Sequence, residues 1–274
     1  MVNKQYAIGI DMHGTLLDCE EEIPKKFHKA LRLAIQRVKP FASIYTCTGN
    51  DLLFVKERLR GLLGLFDGHI LETGCVISLN GKTEQVLVKE EELKAIKMLK
   101  KKIDRRRFSW VTEGNRRRLA TISLFTNNPK SHMPDVQAFV NSVGFGNIIS
   151  VVHSSVAVDL KPKGYDKYTG LRFVAKGKNT IGIADSQNDS PLILHSDFAF
   201  VPENVDPELV DLVESNGKLV VNISNAKGLK RNQVIKASKK EVEGVIQILN
   251  FISDYLEEET YQQNTHLKHI LIDP

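Results

Sequence analysis

Three short clusters in this sequence carry side chains able to do chemistry, and each follows an apolar run. Asp11-Met12-His13-Gly14-Thr15 follows Tyr6-Ala7-Ile8-Gly9-Ile10, Thr48-Gly49-Asn50 follows Ala42 to Thr46, and Asp185-Ser186-Gln187-Asn188-Asp189 follows Thr180 to Ala184. One polar ending on an apolar run is unremarkable. Three of them, on strands expected near the middle of one parallel sheet, point to a single crevice, because open parallel sheets bind ligands at the carboxyl ends of their strands. The residue types suit phosphate. Carboxylates without a cysteine pair favour a hard cation such as magnesium, held by oxygen ligands. Such an ion offsets the charge of an incoming phosphate. Thr48 offers a hydroxyl donor, Gly49 lets the backbone come close, and the backbone N–H groups after Asp11, beginning at Met12, can cradle phosphate oxygens. Lys167 could supply a balancing cation.

The elements that must position these residues follow from apolar periodicity. Residues 5–10 read as a buried strand, Pro24 opens a helix with Phe27, Leu31, Ala34, Ile35 and Val38 at helical spacing, and Ala42 to Thr46 form a second strand. Asp51 caps a helix with Leu53, Val55, Leu59 and Leu62 as apolar positions, and Ile70-Leu71 begins a third strand. This alternation predicts a parallel sheet. The rhythm then changes. A hairpin over Val76–Leu79 and Val86–Val88, a helix from Glu91 to Ile103, a strand over Leu119–Phe125, a helix from Pro134 to Val143 and strands over Ile148–Val152 and Ser155–Leu160 form an α+β segment. Helix Lys167–Ala175, strand Thr180–Ala184, helix Pro207–Val213, strand Leu219–Ile223 and helix Val242–Tyr255 return to the first rhythm. The expected architecture is α/β: a doubly wound, Rossmann-like parallel sheet core over 1–81 and 161–274, with an α+β cap domain inserted over 82–160.

These three clusters and Lys167, in chain order, resemble the four motifs of the haloacid dehalogenase superfamily, and the resemblance covers the chain almost end to end. The superfamily's first motif, Asp-x-Asp-Gly-Thr-Leu, is matched by Asp11-Met12-His13-Gly14-Thr15-Leu16. Its Ser or Thr at the end of the second strand is matched by Thr48, its Lys by Gly164-Tyr165-Asp166-Lys167, and its Gly-Asp-x-x-Asn-Asp by Ala184-Asp185-Ser186-Gln187-Asn188-Asp189. Glu72-Thr73-Gly74 stands where relatives often carry Glu-Asn-Gly, ahead of the cap. The cap's place is similar to that in the sugar-phosphatase branch and the archaeal phosphoglycolate phosphatases. The resemblance implies a magnesium-dependent phosphatase for a small phosphomonoester of the phosphoglycolate or sugar phosphate class. Asp11 would attack phosphorus to give an aspartyl-phosphate. Magnesium would be held by Asp11, the backbone carbonyl of His13 and Asp185, with Asp189 in support. Thr48 and Lys167 would grip the phosphate, and Asn188 would help position Lys167 or the phosphate.

His13 departs from the pattern, since the superfamily places its acid–base carboxylate there. Loss of such a group costs on the order of 10²–10⁴ in rate, although imidazole can itself shuttle a proton. Three outcomes stay open: His13 takes over the role, the enzyme is slow, or the protein binds a phosphorylated ligand without turning it over. A phosphosugar mutase is a further alternative. Ala184, in place of Gly, adds a methyl that tightens packing.

Composition sets the remaining bounds. The formal charge of +5 over 274 residues is too weak to argue for nucleic acid. The basic runs Lys100–Lys102, Arg105–Arg107 and Arg116–Arg118 read first as a solvated face, with an anion-binding role for Arg116 to Arg118 as the alternative. Cys19, Cys47 and Cys75 form neither a disulfide framework nor a zinc site, which fits a reducing compartment. No apolar stretch approaches the roughly 20 residues that span a bilayer, so neither a membrane nor a targeting segment is expected and the location is read as cytoplasmic. The expected partner is a small phosphorylated substrate, with a homodimer left open. Asp18 is read as structural, Cys47 and Cys75 as buried and inert, His153 to Ser155 as a surface turn or a substrate contact, and His266 with His269 as neighbours in a polar tail after Glu257.

Overall fold

The structure, a computed structural model, describes residues 4–103, 108–111, 113–114, 117–154 and 156–270, with only the backbone path for 113–114 and 263–270. In chain order the strands and helices are β1 (Tyr6–Asp11), α1 (His28–Val38), β2 (Ala42–Cys47), α2 (Leu52–Arg58), β3 (Gly68–Leu71), β4 (Val76–Ser78), β5 (Gln85–Val86) and α3 (Glu90–Lys102). They continue with β6 (Glu113–Gly114), β7 (Ile122–Phe125), α4 (Pro129–Ser142), β8 (Ile149–His153), β9 (Ala157–Pro162), α5 (Lys167–Ala175), β10 (Asn179–Ile183) and α6 (Ser190–His195). The last are β11 (Phe198–Val201), α7 (Pro207–Ser215), β12 (Leu219–Asn222), β13 (Gln233–Lys236) and α8 (Glu241–Ile270). By its contacts the chain divides into two units, one of 1–46, 58–67 and 171–274 and another of 47–57 and 68–170. The second unit is wider than the 82–160 segment set out above.

In the first unit the strands run in the order β12-β13-β11-β10-β1-β2. β1 pairs with β10, β10 with β11, β11 with β13 and β13 with β12, all parallel. β1 is buried along its whole length, which is why it reads as an unbroken apolar run rather than an alternating one. From β1 the chain moves through α1 to β2 on one side; from β10 it moves to β11 on the other. The sheet therefore reverses direction between β1 and β10, and a crevice opens at their carboxyl ends. Helix α1 turns Leu31, Ala34, Ile35 and Val38 inward and packs on α8, with Arg37 bridging Asp254 and Glu257 on that helix. Asp206 caps α7 by accepting the Glu208 N–H at 3.0 Å, and Pro207 fills the first helical position.

In the second unit β3, β4 and β5 are antiparallel neighbours, and a four-stranded antiparallel sheet runs β6-β7-β9-β8. Helices α3 and α4 supply Ala95, Ile96, Leu99, Val136, Phe139 and Val140 to the core beneath that sheet. Three glutamates open α3 and three lysines close it, complementing the helix dipole.

Several elements differ from the sequence reading. The turn read at Asn80-Gly81 is a wider loop between β4 and β5, because the Asn80 side chain accepts from both the Lys82 and Thr83 N–H groups. Strand β7 starts at Ile122 rather than Leu119, since residues 119–121 donate to a side chain instead of a neighbouring strand. Helix α4 starts at Pro129 and carries Pro134 inside it; a proline that reads as a first helical residue here lies one turn later. Leu53 is exposed and Leu52 is buried in its place, while Val55 is buried as expected. Strands β11 and β13 and helix α6 are short runs that the periodicity did not single out. Among the described residues no helix is long and apolar enough to cross a membrane.

Candidate active site

The first unit gathers the carboxylates. Ile10 pairs with Ile183 in the β1–β10 register, so Asp11, which ends β1, is level with Ala184, and Asp185 follows directly. Both Asp11 and Ala184 are buried, and Met12 is wholly so; what residue 12 can offer a ligand is its backbone. The Met12 carbonyl accepts from the Leu16 and Leu17 N–H groups at 2.9 and 2.7 Å, folding the loop tightly back. Gly14 sits at φ +72, and a Cβ there would lie 2.3 Å from Asp185 Oδ2. Thr15 donates its hydroxyl to Asp185 Oδ1 at 2.6 Å. Position 14 thus needs glycine twice over, for its backbone angle and for the approach of the carboxylate. The Asp185 carbonyl accepts the Asp206 N–H at 2.7 Å, and Asn204 donates to the Gly14 carbonyl at 2.8 Å while accepting the Glu241 N–H.

Asp189 is buried in the short turn 187–189, where Ser186 donates its hydroxyl to Asp189 Oδ2 at 3.2 Å. Asn188, beside it, is exposed. His13 is half-buried, with Nε2 3.5 Å from Glu21 Oε1. Glu21 is in turn bound by Arg58, so a carboxylate anchored from behind orients the imidazole. Asp18 accepts from the Glu20 and Glu22 N–H groups, the structural role expected of it.

The second unit gathers the groups expected to grip phosphate. Thr48 is wholly buried; its N–H donates to Ile70, its carbonyl accepts from Thr73 and its hydroxyl accepts the Asn50 N–H at 3.1 Å. Asp51 caps α2 through the Phe54 N–H. Glu72 and Thr73 both adopt left-handed backbone angles, and Gly74 follows at φ +85 with a virtual Cβ 1.8 Å from the Asp166 carbonyl oxygen. That turn touches the Thr48 loop on one side and the start of α5 on the other. A Cβ at Gly49 would meet Thr73 Oγ1 at 3.4 Å, an ordinary contact. Helix α5 is capped reciprocally: Asp166 accepts the Thr169 N–H at 2.7 Å and the Thr169 hydroxyl accepts the Asp166 N–H. Lys167 is the first residue of α5. A cation there opposes the helix dipole unless an anion joins it.

Glu72 was read only as a marker ahead of the cap. It is wholly buried, and its carboxylate accepts from Leu119 N, Ala120 N and Thr121 Oγ1 at 2.5, 2.8 and 3.0 Å. The basic stretch is only in part a solvated face: Arg117 is exposed, but Arg118 is buried. Lys100 donates to the Arg118 carbonyl, and burial lowers its pKa. Arg105 to Arg107, Arg116 and Ser155 lie outside the described residues, as do the side chains of His266 and His269. Ser154 closes the β8–β9 turn by accepting from Ala157. Cys47 and Cys75 are buried thiols, and burial raises the Cys75 pKa. Asn204 lacked a sequence signal because β11, whose end it follows, was not recognised.

No protein-family model matches this sequence, and no curated protein does. Solved structures share its fold. A sucrose-phosphatase from Synechocystis, in complex with sucrose and phosphate, superposes with a TM-score of 0.64 at 14% identity, covering 92% of this chain and 99% of that one. A haloacid dehalogenase-like hydrolase from Bacteroides thetaiotaomicron gives 0.61 at 15% identity, over 91% and 100% of the two chains. A protein from Thermoplasma acidophilum gives 0.62 at 17%, over 91% and 99%. The fold is that of the haloacid dehalogenase-like hydrolases.

Proposed function

We propose that this protein is a magnesium-dependent phosphatase of small phosphomonoesters, of the phosphoglycolate or sugar phosphate class. The observation that carries this reading is the pairing of two loops at the point where the sheet reverses: Asp11 ends β1, and the neighbouring Asp185 carboxylate is seated on Gly14 and held by Thr15 at 2.6 Å. Asp11 attacks phosphorus, the alcohol leaves, and water then hydrolyses the aspartyl-phosphate. Thr48 and Lys167 bind the phosphate oxygens, with Asn188 assisting. His13, oriented by Glu21, gives a proton to the leaving alcohol and later takes one from water.

Among the described residues no group of three His, Cys, Asp or Glu side chains could by itself hold a metal ion. A magnesium ion here would complete its shell with carbonyls and water. Asp11, the His13 carbonyl and Asp185 would hold it, supported by Asp189. When bound, it would neutralise phosphate charge.

Hydrolysis of an aryl phosphate with and without magnesium tests the proposal. We expect turnover that needs the ion and falls by at least about 10³-fold in Asp11→Asn, as loss of a nucleophile does. Saturable phosphate binding without turnover would favour a ligand-binding protein in which His13 does not replace the acid–base carboxylate. Transfer of the phosphoryl group within one sugar would favour a mutase.

A further inference from the structure

The second unit contains a buried guanidinium for which the reaction above has no use. Arg118 is 7% exposed. It donates through Nη2 to Asn50 Oδ1 at 2.9 Å and through Nη1 to Asp159 Oδ1 at 3.4 Å, and Ser123 donates its hydroxyl to the same carboxylate oxygen. Its Nε makes no hydrogen bond among the described residues. A buried ion pair with bonds left over is a poor source of stability, since desolvation cancels much of its attraction. The partner it selects is more telling. Asn50 lies two residues after Thr48, and its backbone N–H donates to the Thr48 hydroxyl at 3.1 Å.

We infer that Arg118 is a positioning residue, which acts through Asn50 to set the direction of the Thr48 hydroxyl toward a bound phosphate. The inference rests on the role proposed for Thr48. A threonine hydroxyl has one proton and two lone pairs. With one lone pair taken by the Asn50 N–H, the proton is turned away from that amide. Asn50 is held on both sides: its carbonyl accepts the Glu72 N–H at 3.0 Å, and its side chain is held by Arg118. The segment that carries Arg118 is itself fixed, because the Glu72 carboxylate accepts from residues 119, 120 and 121, immediately after it. Asn50, Glu72 and residues 118–121 thus hold one another through hydrogen bonds, and the Thr48 hydroxyl is joined to them by the Asn50 N–H. Asp159 pins the guanidinium from its other edge.

The test is a thermodynamic cycle in the full-length protein, with KM for an aryl phosphate and the inhibition constant for inorganic phosphate as readouts. Arg118→Met should raise both about tenfold while leaving kcat within about threefold, as loss of a hydrogen bond made equally in ground and transition states does. Thr48→Val should raise them at least as much. The double variant should be no worse than Thr48→Val, because residues acting through one another are not additive. A merely structural Arg118 would multiply with Thr48→Val, and that result would overturn the inference. Asn50→Ala reads the same link with Arg118 intact, and serves if Arg118→Met does not fold; unchanged phosphate inhibition in a folded Asn50→Ala protein would also overturn it. A parent protein that neither binds inorganic phosphate nor hydrolyses the ester refutes the proposed function, and this inference with it. Parent turnover with additive variants refutes this inference alone.

Discussion

The loop after β1 and the turn after β3 are both tight and both glycine-dependent, yet they are built in opposite ways. At Gly14 the nearest neighbour is a carboxylate, the end of the Asp185 side chain. At Gly74 it is backbone, the Asp166 carbonyl. A side chain can rotate away from an intruding methyl, whereas a carbonyl at the start of a capped helix cannot. Both positions are strained by a side chain, since both lie at positive φ, but at Gly14 the Asp185 side chain can yield while at Gly74 the backbone itself must move.

The largest effect should follow from removing the first loop's partner. Asp185→Asn should lower kcat/KM on the order of 10³-fold, the several kcal/mol that a catalytic cation supplies, with little change in melting temperature; steady-state kinetics and calorimetry on one sample decide. An equal loss of stability would erase the contrast. Next, Gly74→Ala should destabilise by about 3 kcal/mol, because overpacking adds to left-handed strain. Denaturant unfolding measures it, with Gly49→Ala, whose Cβ would meet only Thr73 Oγ1 at 3.4 Å, as the mild control.

His69 on β3 gives the second region an acid sensitivity. It is buried, and burial together with Lys56 pushes its pKa down to about 4. The unfolded chain binds a proton near 6.5 that the folded chain refuses until about 4, so this contribution is complete above the upper value and lost as pH falls through that window. The loss is about 3 kcal/mol. Unfolding midpoints from pH 7 to 4 should show it, and His69→Leu should flatten that slope. The smallest effect concerns the first region again: His13→Ala should slow turnover about 10²-fold at neutral pH. An unchanged rate and pH profile would remove His13 from the reaction.

Much of the first region was legible before any coordinates. Asp11 and Asp185 end apolar runs, and parallel strands put such ends at one edge. Lys167 was legible too, since the helix it opens was read with its observed bounds. Asn204 was not, because four-residue β11 carries too little pattern to mark a strand end. Arg118 was read first as part of a solvated run because a charge run looks exposed; only its bonds to Asn50 and Asp159 show it turned inward. Leu53 shows the same limit from the apolar side, with helical spacing in the sequence and an exposed place in the structure.

The sequence by itself determined the longer elements, the alternation that makes a parallel sheet and which of their strand ends carry polar side chains, because periodicity and punctuation are local properties. Tertiary structure alone decided that Glu72 is a buried clasp for residues 119–121, that Gly74 must lack a Cβ, and that one arginine of a basic run is turned inward onto Asn50. Those facts depend on which groups meet across long separations in the chain, and no local pattern encodes that.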